Sequence, residues 1–238
     1  MKYAEDLRLA ARRKMTDKWS TLALITFIIS LILGACTSFC ATVTNANFVT
    51  VCFSSLGTIA ALVIGGPFEL SQSKIALNVS RGKNVTIEQT FDGFKNFVNA
   101  FLLSLINSIF VALWSLLFFI PGIIKDLSYS MSFYLLADNP ELTQDLARAK
   151  SVEMMDGNKW RLFCLRFSFI GWYLLGIITC GILMFWVIPY VKCAEAEFYK
   201  DLINEQDDNR GKHFGTNENE TASDAEEKTA EEPFEELN

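Results

Sequence analysis

The longest hydrophobic stretch runs from Val98 to Ala137, forty residues whose only charges are Lys125 and Asp126, with Pro121-Gly122 near its middle. A bilayer core takes about 20 apolar residues per helix, so the stretch predicts two membrane crossings joined by a turn. Leu22 to Val43 is a further span. Another begins at Phe48, passes through Gly65-Gly66-Pro67 and continues to Arg81. Residues 162 to 191 hold Arg166 as their only charge, and helical sequence continues to Leu202. That length exceeds one crossing and predicts two, with a turn near Thr179 to Gly181. The expected fold is all-α, a polytopic membrane bundle of six spans.

Polar segments between the spans carry helical patterns of their own. Tyr3, Leu7, Ala10 and Ala11 recur at helical spacing beside Arg12, Arg13, Lys14 and Lys18. This predicts a short amphipathic helix lying on the anionic cytoplasmic surface. Phe91, Phe94 and Phe97 recur every third residue among Glu88, Asp92 and Lys95, predicting a second surface-lying helix. Asn139 is suited to cap a cytoplasmic helix, with Pro140 at its first position and a stop at Gly157.

The second and third hairpins read as copies. Lys95 and Lys159 introduce them, Ile120-Pro121 and Ile188-Pro189 interrupt them, and Phe133-Tyr134 and Phe198-Tyr199 close them. Lys18-Trp19 and Gly66-Pro67 mark a more diverged first copy. Charge then sets the orientation. The three outer turns, near 44 to 47, 116 to 120 and 179 to 181, contain no charged residue, which predicts that both termini lie in the cytoplasm. A five-span arrangement would strand Arg148, Lys150, Lys159 and Arg161 outside.

The chain's net charge of -6 changes this reading little, because 13 of the 27 acidic residues lie in 201 to 238. Residues 1 to 203 are therefore expected to form the integral membrane helical domain and 204 to 238 a disordered acidic cytoplasmic tail. The six cysteines show no metal-ligand spacing, and the single histidine, His213, lies in the tail. Leu33-Gly34-Ala35-Cys36 matches a lipoprotein cleavage pattern, but the apolar run around it is longer than a signal core.

A polar stripe follows each proline. Glu69, Gln72 and Ser73 share one helical face; so do Lys125, Ser128, Tyr129 and Ser132, and likewise Lys192, Glu195 and Tyr199. With Asp126 these supply the candidate intramembrane residues Glu69, Gln72, Lys125, Asp126, Tyr129, Lys192 and Glu195. A charge at membrane depth costs about 2.5 to 3.5 kcal/mol on insertion scales, so such groups seek partners or water. Lys125 or Lys192 pairing with Glu69 or Asp126 is the simplest solution. The stripe either lines a pocket for an anionic ligand between Gly/Pro-broken helices, or positions the helices while its charges snorkel.

The segment FFIPGIIKDLSYSMSFYLLADNPEL, with the later GNKW element, resembles the bacterial integral membrane family known as domain of unknown function 975. The likeness covers about residues 5 to 203. It implies a polytopic protein of the cytoplasmic membrane and supplies no activity, ligand or catalytic residue. Glu69 departs from the small residues that the resemblance implies after Gly66-Pro67.

No HExxH, GxSxG or glycine-rich phosphate loop is present. The expectation is a protein that is not an enzyme, with no catalytic residue, no cofactor and no metal. Its expected partners are the lipid bilayer and other membrane proteins, not nucleic acid. Its role would be assembly, scaffolding or another envelope-associated task. The alternative is a small transporter or lipid-handling protein using the polar stripe.

Overall fold

The computed structural model describes the backbone of residues 4–16, 18–41, 48–117, 119–179 and 181–230, with side chains of 36–60, 117–119 and 208–230 left aside. Among the described residues the chain is all-α. The helices are α1 (Ala4–Met15), α2 (Trp19–Ala41), α3 (Phe48–Ser80), α4 (Phe97–Leu117), α5 (Phe119–Tyr129), α6 (Ser132–Asp138), α7 (Gln144–Met154), α8 (Lys159–Phe167), α9 (Ile170–Ile178) and α10 (Met184–Ala230). A 3-10 segment, Ile87–Asn96, leads into α4.

Two helices in the described residues are long and apolar enough to cross a membrane, Ile87–Leu116 and Lys159–Ile178. A third qualifies if Ala4–Met15 and Trp19–Ala35, bent by 97°, count as one. Of the six crossings expected from the sequence, length and composition thus support two or three among the described residues. The expected outer turn at 44 to 47 lies outside the described residues, as do the side chains of Cys36, Cys40 and Cys52.

The apolar faces of these helices are largely exposed. The two candidate spans are only 17% and 22% buried over their most apolar windows, and Leu116, Ile120 and Ile178 stand 87%, 71% and 76% exposed. Serines 71, 73, 128, 132 and 151 and the carboxylates of Glu195 and Glu197 are buried. Apolar side chains outside and polar groups inside are what a lipid solvent selects.

The compact body is Lys2–Tyr199, and Lys200–Asn238 forms a separate unit. Within the body α3 touches α1, α2, the 3-10 segment, α4 and α6. At 33 residues it is roughly 50 Å long, more than a bilayer core requires. It continues unbroken through Pro67, and α10 likewise through Pro189, so the expected Gly/Pro-broken helices are replaced by continuous ones. Each proline removes one N–H from its ladder. Ser71 Oγ donates to the Pro67 carbonyl at 3.1 Å and accepts the Gly93 N–H at 2.8 Å. Pro121-Gly122 instead falls in the first turn of α5, where proline fits, and Gly122 lies so close to α4 that a Cβ would meet Ser115 Oγ at 2.1 Å.

The three-residue phenylalanine spacing has a geometric cause. In a 3-10 helix residues i and i+3 eclipse, which aligns Phe91, Phe94 and Phe97 in one row. Neighbouring rings in the row are 6.2 and 6.3 Å apart, and Phe68 of α3 meets Phe94 edge-on at 5.2 Å. α1 is amphipathic as expected, but its apolar face of Leu7, Ala11 and Met15 is buried within the body rather than turned to lipid.

The helix predicted after Asn139 starts later than expected. Thr143, not Asn139, is the N-cap of α7, and Asn139 is the C-cap of α6 with its N–H donated to Leu135. Pro140 biases the preceding residue away from helical geometry, and a turn closed by Leu142 N–H to the Asn139 carbonyl fills the gap. At the other end Gly157 adopts a left-handed φ of 73°, and Gly181 one of 85° at the predicted turn before α10. α10 is a continuous helix to Ala230.

Candidate functional site

Five ionisable side chains from four helices converge in the body. On α10, Lys192 and Glu195 are three residues apart and share a face, following the turn that holds Pro189. Lys192 forms an ion pair with Glu69, which stands on α3 two residues after Pro67. Glu195, only 4% exposed, accepts Arg166 Nε at 2.8 Å and the Tyr134 hydroxyl at 3.1 Å. The same guanidinium, in the last turn of α8, donates from Nη1 to Asp126 Oδ2 on α5 at 2.7 Å.

This geometry is specific to arginine. A planar guanidinium presents donors in a fixed fork and so bridges two carboxylates, which a single ammonium does less well. Tyr134 adds a further tie, because its hydroxyl also lies 3.1 Å from the Lys192 carbonyl oxygen. Three carboxylates thus face two cations, each cation in contact with at least one acid.

Four of the seven candidate residues, Glu69, Asp126, Lys192 and Glu195, therefore belong to one network. Gln72 lines a small cavity of about 20 Å³ beside Lys192, with Thr26 and Cys193, room for one water. Lys125 and Tyr129 stand elsewhere. Lys125 lies over the Trp114 ring at 5.4 Å, and Tyr129 packs beside Phe110 at 6.3 Å. Sequence reasoning missed Arg166 and Tyr134 as members. Arg166 had a signal, being the lone charge of its apolar run; Tyr134 was marked only as a repeat-closing residue.

A cavity of about 310 Å³ adjoins the network, lined by Arg166, Tyr173, Ile188, Val191, Lys192 and Glu195. Among the described residues no group of three or more His, Cys, Asp or Glu side chains is placed to hold a metal. The arrangement gives each cation a carboxylate and ties α3, α5, α6, α8 and α10 to one another.

A second set of pairs lies nearer the polar loops. Arg81 meets Asp138 at 2.6 Å, Asp92 bridges Lys74 at 3.0 Å and Lys95 at 2.7 Å, and Lys14 meets the buried Glu197 at 2.6 Å. Asn78 Nδ2 donates to Gln89 Oε1 at 3.3 Å.

The fold and this network define an all-helical protein with a paired ionic interior and helices able to cross a bilayer. The chain belongs to the family described as "Protein of unknown function (DUF975)", whose sequence model matches residues 1–125 and 116–206. Among curated proteins and solved structures, none matches it.

Proposed function

We propose that this chain is a non-enzymatic integral protein of the bacterial cytoplasmic membrane, serving as an assembly or scaffold component of the envelope. It crosses the bilayer six times, as three helical hairpins with both termini in the cytoplasm. The observation that supports the role is the saturation of its deep charges: Lys192 by Glu69, and Arg166 by Glu195 and Asp126. Ion pairs closed on one another hold helices in place and leave their charges little capacity for a solute. The uncharged outer turns support the orientation.

The alternative is a small transporter or lipid-handling protein that takes an anionic ligand. It is favoured by the 310 Å³ cavity, where Arg166, Lys192 and Tyr173 meet. Val191→Cys in a background lacking the six native cysteines separates the two. Protection from a membrane-impermeant, water-soluble thiol reagent is expected for the scaffold, whereas rapid labelling, slowed by small anions, would favour the ligand-binding reading. Reporter fusions at residues 45, 83, 118, 157 and 180 test the topology, with those at 83 and 157 expected to report cytoplasm.

A further inference from the structure

α5 and α8 enclose a groove separate from the ionic network. Ile120, Ile123, Ile124 and Leu127 form one wall at i, i+3, i+4 and i+7, a single helical face. Trp160 and Phe163 form the other, with rings 5.3 Å apart and nearly parallel, and Phe167 stacks on Phe163 at 6.0 Å. Its volume is about 540 Å³, and only Lys159 contributes a charge to its lining.

That chemistry resembles one end of a phospholipid. The walls are aliphatic and aromatic, suited to an acyl chain, and Ile120 and Trp160 are 71% and 72% exposed. Lys159 sits at the start of α8 beside Trp160, the residue type that settles at headgroup level and whose indole N–H suits an ester oxygen. The ammonium of Lys159 is 4.0 Å from Asp156, itself 87% exposed, a contact at the outer limit of an ion pair. It therefore retains capacity for a phosphate.

We infer that the α5–α8 groove binds an anionic phospholipid of the surrounding bilayer, its acyl chain along Ile120, Ile124 and Phe163 and its phosphate on Lys159. A basic residue with an aromatic neighbour at the headgroup boundary, continuous with an apolar groove, distinguishes this site from the rest of the lipid-facing surface. The inference rests on the membrane reading of the chain.

Native mass spectrometry of the full chain, extracted in detergent, delipidated and titrated with phosphatidylglycerol or phosphatidylcholine of identical acyl chains, tests it. One phosphatidylglycerol should be retained with about fivefold preference, the scale of a single basic contact at a membrane surface. Lys159→Gln should abolish the preference, and Ile124→Trp, which fills the groove, should lower retention of both lipids. Lys125→Gln, which alters the cation over Trp114, should change neither. Equal retention of the two lipids by the unmodified chain, or an undiminished preference in Lys159→Gln, would overturn the inference and leave the membrane reading intact. Recovery of the chain as a detergent-free soluble monomer would overturn both.

Discussion

Tyr134 and Tyr199, which close the second and third hairpins at matching places in the repeat, stack on each other with ring centroids 5.9 Å apart and planes 27° from parallel. Both are buried, and each hydroxyl reaches a carboxylate on the element carrying the other ring: Tyr134 to Glu195, Tyr199 to Asp138 at 3.4 Å. Tyr134→Phe should lower stability by about 1 to 3 kcal/mol, because the buried Glu195 loses one of its donors. Tyr199→Phe should cost less, since its hydrogen bond is long and Asp138 keeps Arg81. Thermal unfolding in detergent measures both, and equal losses would contradict the asymmetry.

The Lys192–Glu69 pair makes a stronger demand. Lys192→Met leaves Glu69 without its cation, and Glu69→Gln leaves Lys192 to share Glu195 with Arg166. Breaking a buried pair from one side costs about 3 to 5 kcal/mol; the Glu69 carboxylate left behind by Lys192→Met is partly exposed and can be hydrated, so that loss should fall at the lower end. The double reversal Glu69→Lys with Lys192→Glu should recover only part of the loss, because it sets a carboxylate beside Glu195. Membrane accumulation and melting temperature of the unmodified chain, the two single variants and the double variant Glu69→Gln with Lys192→Met give the coupling between the two sites. Additive losses would mean that the contact contributes nothing.

Much of this arrangement is written in local pattern. Uncharged runs marked the helices, the Thr179 to Gly181 turn falls where expected, and the spacing of Phe91, Phe94 and Phe97 reflects a real row. The Lys192–Glu69 pairing follows from the expense of isolated charge in lipid. What spacing along one helix cannot reveal is which other helix supplies a partner. Lys125 and Asp126 are adjacent, yet one lies over Trp114 and the other meets Arg166, forty residues on. The start of α7 was misplaced because capping preferences favoured Asn139 locally, whereas Pro140 and the Arg81–Asp138 pair fit a turn there.

Close approach of the 3-10 segment to α3 depends on one missing side chain. A Cβ on Gly93 would lie 2.0 Å from the Pro67 carbonyl oxygen and 2.6 Å from Ser71 Oγ. Backbone cannot yield as a side-chain tip can, so Gly93→Ala should displace the segment and cost about 3 kcal/mol, the upper range for overpacking. Gly65→Ala is the control, with nothing within 4 Å of its Cβ. In a helix interior that change should be neutral or stabilising by up to about 1 kcal/mol. Protease sensitivity near residues 84 to 96, compared between the two variants, reads the displacement directly.

The same contrast tests whether α1 is held by protein or by lipid. Leu7 is 2% exposed and Leu9, on the same helix, 45%. Arg8 lies over Phe169 at 5.6 Å and its carbonyl accepts the Tyr190 hydroxyl at 3.2 Å, while Lys14 reaches Glu197. Leu7→Ala should therefore destabilise the body by about 2 to 5 kcal/mol, as for a buried leucine, and Leu9→Ala by less than about 0.5 kcal/mol. If α1 instead lay on the bilayer as an independent amphipathic helix, neither change would move the melting temperature in detergent. Both would then weaken association of a peptide covering residues 1 to 18 with anionic vesicles, and a melting shift confined to Leu7→Ala separates the two arrangements.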